Sequence, residues 1–140
     1  MSGCSKKSDP DANQPSKTDQ ISASTWKVED MGSDQNRDGV IEQSVLGAFA
    51  CLEDNSISFR RDNTGTTDEG TNKCNASSPQ TTTINWNFAD NETHLVVSNS
   101  PFKEINGRSK ILDLTATNLV LTRDTVFMGT TVPFVVKLKH

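Results

Sequence analysis

The chain has 140 residues, 32% of them hydrophobic and 23% charged, which suits one small domain with a tail. A net charge of −4 with an isoelectric point near 5.1 argues against a nucleic-acid groove, which needs clustered Lys and Arg. No apolar run approaches the roughly 18–20 residues that cross a bilayer as a helix.

The first nine residues read Met1-Ser2-Gly3-Cys4-Ser5-Lys6-Lys7-Ser8-Asp9. A small-residue pair directly before a cysteine, followed by polar residues, resembles the cleavage end of a bacterial lipoprotein signal peptide. The resemblance implies that the segment before Cys4 is removed and that Cys4 becomes a lipid-bearing first residue. Met1 then stands in the place of a residue such as Leu. From residue 5 to about residue 22 there are two prolines and one large apolar residue, Ile21, too little apolar surface to order the segment. Residues 1–22 therefore read as a lipoprotein N-terminus and flexible tether, and 23–140 as the folded domain. The expected location is the cell envelope, as an outer-membrane lipoprotein held by its acyl chains.

From residue 23 onward the pattern has period two. Trp26 and Val28 share one face, against Lys27 and Glu29 on the other. An acidic stretch follows: from Glu29 to Asp54 there are seven acids and one base, Arg37. Within it, Asp34-Gln35-Asn36-Arg37-Asp38-Gly39-Val40-Ile41-Glu42 resembles the start of an EF-hand calcium loop. Asp34, Asn36 and Asp38 alternate, a turn glycine comes sixth and Glu42 ninth. The twelfth position, which needs a bidentate carboxylate, is Val45. Two readings stand: a weak calcium site on Asp34, Asn36, Asp38 and Glu42, or a polar turn. No other cofactor is expected.

Glu42 to Ala50 puts Val45, Leu46 and Phe49 on one helical face, so a short helix is expected there. Cys51 and Cys74 form an even pair in a chain that reads as exported, which favours a disulfide over a zinc site. Asp62-Asn63-Thr64-Gly65 is a turn signal midway between them. A hairpin folded there brings the cysteines opposite each other, and closing such a loop contributes about 3 kcal/mol. Further strands are expected at Ile57 and Phe59, at Ile84, Trp86 and Phe88, and at Leu95 and Val97. Three more follow, at 111–114, at 119–121 and around Phe134, Val136 and Leu138. Basic residues dominate the end of the chain, with six bases against three acids from Lys103 onward.

About eight short strands in hairpin order suggest an all-β fold, an antiparallel up-and-down barrel with one short helix after the first strand; a two-sheet sandwich is the alternative. The order of features resembles the lipocalin-like domain of small Bacteroidetes lipoproteins. It comprises Thr25-Trp26-Lys27, the polar stretch and short helix, Cys51-Leu52-Glu53-Asp54-Asn55, Ile57-Ser58-Phe59, Thr64-Gly65, Cys74, Asn85-Trp86-Asn87 and Leu119-Val120-Leu121-Thr122-Arg123. In lipocalins proper the first-strand tryptophan follows a glycine by two positions and packs against a late arginine. The resemblance thus implies a stack of Trp26 on Arg123, although residue 24 is Ser.

No catalytic set is visible. The histidines are His94 and His140, neither placed beside a nucleophile, so an enzyme is not expected. The first functional expectation is a membrane-anchored, monomeric module binding a small hydrophobic or amphipathic ligand. Trp26, Phe59, Trp86, Phe88, Val97 and Phe134 are its expected lining. The second takes the same residues as the packing of a filled barrel whose loops contact protein or glycan.

Overall fold

The computed structural model describes residues 16–23, 25–47, 51, 53–71, 73, 76–77, 79–101, 105–127 and 129–140. Among these, one helix, α1 (Lys17–Ser22), precedes nine strands: β1 (Trp26–Ser33), β2 (Gln43–Ser44), β3 (Ser56–Phe59), β4 (Thr64–Asp68), β5 (Thr81–Ala89), β6 (His94–Ser98), β7 (Gly107–Leu114), β8 (Asn118–Phe127) and β9 (Thr130–Lys139).

Each strand from β3 to β9 pairs antiparallel with the next. β9 then returns to β1, from Phe134 opposite Ser33 to Lys139 opposite Lys27, with an irregularity at Lys137/Leu138. β1 also meets β3, at Trp26 opposite Ile57 and Lys27 opposite Ser56. The eight long strands therefore close into a lipocalin-like up-and-down barrel, and the sandwich alternative falls. Among the described residues, closure leaves no long hydrogen-bonding edge open to another chain.

Alternation fixes which side chains fill the barrel. Trp26 and Val28 on β1, Ile57 and Phe59 on β3, Ile84 and Trp86 on β5, Leu95 and Val97 on β6, and Leu119 and Leu121 on β8 all join one core cluster. β4, Thr-Gly-Thr-Thr-Asp, carries no apolar signal because its inward positions are Gly65 and Thr67. A Cβ at Gly65 would lie 2.4 Å from the Ser58 carbonyl oxygen and 2.9 Å from Ile84 Cγ1. Glycine is required there because the Ser58 carbonyl and the Ile84 side chain already occupy the space.

One expectation shifts in its bounds and another changes. The segment 42–50 begins as strand, with Gly32 opposite Ser44 and Ser33 opposite Gln43. Glu42 N donates to Ser33 O and Val45 N to Met31 O, both at 2.9 Å. A short 3₁₀ turn follows at 46–47, and residues 48–50 lie outside the described residues. The cause is Gly32: a Cβ there would sit 2.1 Å from the Gln43 carbonyl oxygen, so only glycine lets this backbone come alongside β1. Edge pairing takes residues 43–44, and the short helical turn expected after the first strand begins beyond them, at 46–47.

The second change concerns the tether. Lys17–Ser22 forms a helix with Ser16 as N-cap, in a reciprocal box with Asp19. Its one large apolar residue, Ile21, is fully buried in the core cluster. Burying such a side chain contributes about 1.5–3 kcal/mol, enough to hold a short helix against a preformed surface. Residues 1–15, Cys4 among them, lie outside the described residues.

The helix closes one end of the barrel. Lys17 Nζ donates to Glu92 O at 2.8 Å in the β5–β6 turn, and Asp19 pairs with Arg61 in the β3–β4 turn. The Trp26 indole donates to Ile21 O at 2.8 Å, and its ring meets that of His140 edge-on with centroids 4.6 Å apart. The β7–β8 turn joins the same end through His140 N and Thr117 O. The strand ends at Ser33, Asp68, Thr81, Ser98 and Gly107 lie at the opposite end, where the loop 34–42 begins.

Candidate functional site

The six residues expected to line a ligand do come together, but as packing. Trp26, Phe59, Trp86 and Val97 are 0%, 2%, 3% and 1% exposed, and Met31, Ile84, Leu119 and Leu138 around them are fully sealed. A void wide enough for a water molecule leaves accessible surface on its walls, and these walls have almost none. Phe88 and Phe134 are only partly buried against the same cluster.

Both tryptophans act as fasteners. The Trp86 indole donates to Arg60 O at 2.9 Å and Thr64 O at 2.8 Å, and its backbone N donates to Asn63 O at 3.0 Å. It thus ties the β3–β4 hairpin to β5, with Phe59 and Phe88 edge-on to its ring at 5.5 and 5.3 Å. Trp26 does the same for α1. Its expected partner, Arg123, lies toward the other end of the barrel, opposite Phe134, which itself faces Ser33. There Arg123 donates to Asn106 O. The aromatic partner of Trp26 is instead His140.

The calcium-like loop folds onto itself. Asp34 is 1% exposed, and its carboxylate accepts from Gly39 N at 2.7 Å and Asp38 N at 3.2 Å. Asp38 Oδ1 accepts from Val40 N, Asn36 Oδ1 from Asp38 N, and Glu42 Oε1 from Gln35 N. Gly39, at φ 84°, supplies the left-handed turn. The four oxygen-bearing side chains are each turned on backbone amides. Among the described residues, no group of three or more His, Cys, Asp or Glu side chains is placed to hold a metal ion.

His94 offers no relay. Thr93 Oγ1, at 2.8 Å, and Asp90 Oδ2, at 3.3 Å, both meet the same ring nitrogen, Nδ1. A general base needs its orienting carboxylate on one nitrogen and its nucleophile on the other. The β3–β4 hairpin is centred on Asp62, with Phe59 opposite Gly65 and Ser56 opposite Asp68, within one residue of the symmetry expected for Cys51 and Cys74. Cys74 lies outside the described residues.

Two carboxylates around this hairpin are held below the usual carboxylate range. For Asp62 the main cause is the Thr64 hydroxyl, then the Thr64 amide. For Asp68 it is the Gly70 amide, then the Gln80 side chain.

A feature that local sequence patterns do not reveal lies on the outer wall. Register sets His94 of β6 opposite Lys110 of β7, and Lys110 opposite Thr122 of β8. With Arg108, Arg123, Asp124 and Arg37 from the loop 34–42, they line a shallow groove of about 280 Å³. The basic excess beyond Lys103 was its only trace in the sequence.

A family model described as a lipocalin-like domain matches residues 23–121. Among solved structures the chain is similar to a DUF4847 family protein from Bacteroides vulgatus ATCC 8482. Identity is 15% and the TM-score 0.59, over 86% of this chain and 94% of that one, a likeness of fold. No curated protein matches the chain.

Proposed function

The chain belongs to the lipocalin-like domain family, and from that premise we propose a non-catalytic binding protein of the bacterial cell envelope. Its barrel is a filled scaffold, and recognition takes place on its outer surface and rim. The sealed interior carries this reading. Inward residues from Trp26 and Met31 through Ile84 to Leu138 expose nothing, so a ligand in the middle of the barrel would have to displace core side chains. The Ser-Gly-Cys opening supports a lipid on Cys4 as the membrane tether, and the even cysteine count supports a disulfide between Cys51 and Cys74. The protein acts as a monomer, without metal or cofactor.

The second reading, a small apolar or amphipathic ligand inside the barrel, is favoured by one observation: Phe88 and Phe134 keep accessible surface. Native mass spectrometry of the purified chain separates the two. The filled scaffold gives the apo mass alone, with one disulfide's loss of two hydrogens. A stoichiometric co-purified small molecule would move the function into the barrel. Placed behind a lipoprotein signal, the chain should fractionate with membranes, and Cys4→Ser should release it.

A further inference from the structure

We propose that the groove across the outer wall of β6, β7 and β8 binds a phosphate group. The proposal rests on the reading that this protein works through its outer surface, and it names the chemistry that surface would take.

The groove is built mainly from outward positions of adjacent strands, while Arg123, at an inward position of β8, turns its guanidinium to Asn106 O. On β7 the outward residues are Arg108 and Lys110; the register carries Lys110 to His94 on one side and Thr122 on the other. Arg37 reaches the same space from the loop 34–42, which the Asp34 carboxylate holds in place. Cations thus converge from a loop and a strand, the arrangement that matches an anion with several oxygens. The lining brings the cations of Arg37, Arg108 and Lys110 against the Asp124 carboxylate, with Asp90 paired to Arg108 beside it, on a chain whose net charge is −4. The field there runs against that of the molecule as a whole.

The guanidinium groups are oriented before any ligand arrives. Arg37 Nη1 lies 2.9 Å from Asp124 Oδ1, and Arg108 pairs with Asp90. Each bond engages one side of a planar fork and limits the rotamers left to order on binding. Lys110 has no ion-pair partner among the described residues. His94 spends Nδ1 on Thr93 and Asp90, which leaves Nε2. Thr122 adds a hydroxyl to the lining, although it donates to Phe134 O at 3.1 Å.

Shape agrees with charge. About 280 Å³ of open, shallow space accommodates a phosphate and part of what carries it. Directly beyond Lys110 on the same face of β7 stands Leu112, 41% exposed, and Val40 on the neighbouring loop is 56% exposed. A phosphate borne on an apolar body, as in a lipid headgroup, would meet cations and then these side chains. A free or sugar-linked phosphate would use the cations alone.

Two probes on the full chain distinguish these sources: inorganic phosphate, followed by calorimetry, and co-sedimentation with phosphatidylglycerol–phosphatidylcholine vesicles against phosphatidylcholine alone. The variants are Lys110→Gln and Arg108→Gln, with Lys27→Gln on the exposed face of β1 as the charge control. Each groove variant should weaken binding about five-fold, the value of one cation near an anionic surface, while Lys27→Gln changes nothing. Binding of inorganic phosphate that competes with vesicles supports a free or sugar-linked ligand. Saturable binding to anionic vesicles alone, lost in the groove variants, supports the headgroup. Equal losses in Lys27→Gln and the groove variants, or no binding of either probe, would overturn the proposal. A ligand found inside the barrel would defeat the filled-scaffold reading and leave these groove results standing.

Discussion

Replacing Val97 with Phe asks whether the barrel has room. Val97 is 1% exposed and points inward from β6, between Trp86 of β5 and Gly107 of β7. The substitution adds four carbons at the level where Trp86 meets Phe59 and Phe88 edge-on. Gly107 has no side chain, yet the space over it is taken: a Cβ there would already meet Arg123 Nη1 at 3.3 Å. In a filled core the added atoms force neighbours off their rotamers, which costs about 1–3 kcal/mol. For a domain of this size each kcal/mol moves the melting temperature by about 4 °C, so Val97→Phe should melt roughly 4–12 °C lower. In an open calyx the same ring would bury apolar surface against existing walls and stabilise. Thermal unfolding followed by circular dichroism, with urea titration as a check on the slope, decides between them. An unchanged or raised melting temperature would refute the filled interior.

Other consequences are equally specific. Trp26→Phe removes the donor to Ile21 O and should cost about 1–2 kcal/mol. Hydrogen exchange should show the loss of protection concentrated in residues 17–22; a uniform loss would mean that α1 is not hung on Trp26. Asp62 and Asp68 are held below the ordinary value of 3.8 in the fold. Their contribution is therefore present above about pH 4 and lost as pH falls through the folded values. Asp62→Asn and Asp68→Asn should flatten the acid limb of the stability curve, and an unaltered limb would show that these bonds do not persist in solution. In the loop 34–42, millimolar calcium should leave the melting temperature unchanged. Occupancy at ten times the dissociation constant would add about 1.4 kcal/mol, a rise of roughly 5 °C that would mark a real site.

Much of the barrel was legible because its core strands advertise themselves. Ile84, Trp86 and Phe88 alternate with Thr83, Asn85 and Asn87, and nothing but a half-buried strand satisfies that spacing. β4 was hidden because Gly65 and Thr67 are its inward residues; what makes it a strand is its pairing with β3 on one side and β5 on the other. The same physics hid β2, since the room for Gln43 and Ser44 comes from the missing side chain of Gly32 on another strand. Hydrophobicity alone does not show α1, because its one large apolar residue is Ile21. Ile21 cannot order a free segment, but it can against a barrel end already formed, and Ser16 with Asp19 was a local sign that could have been read.

The candidate sites divide along the same line. Period two told which of Trp26, Phe59, Trp86, Phe88, Val97 and Phe134 face inward, whereas whether inward residues touch one another or surround a space is set by side-chain volumes across strands. Asp34, Asn36, Asp38 and Glu42 have the spacing of a cation loop, and in the fold they accept from the Gly39, Asp38, Val40 and Gln35 amides, contacts that loop conformation sets and spacing does not show. The outer groove joins residues 37, 94, 108, 110 and 122–124, and only the strand register brings them together.

The central claim, a barrel filled by its own side chains, is met most directly by titrating the intrinsic fluorescence of Trp26 and Trp86 with a fatty acid, a retinoid and haem. Both indoles sit inside the barrel, so any ligand entering it must alter their emission. The filled scaffold gives no saturable change with any of the three. Stoichiometric, saturable quenching that is lost in Trp86→Phe would place a ligand against that ring and contradict the account.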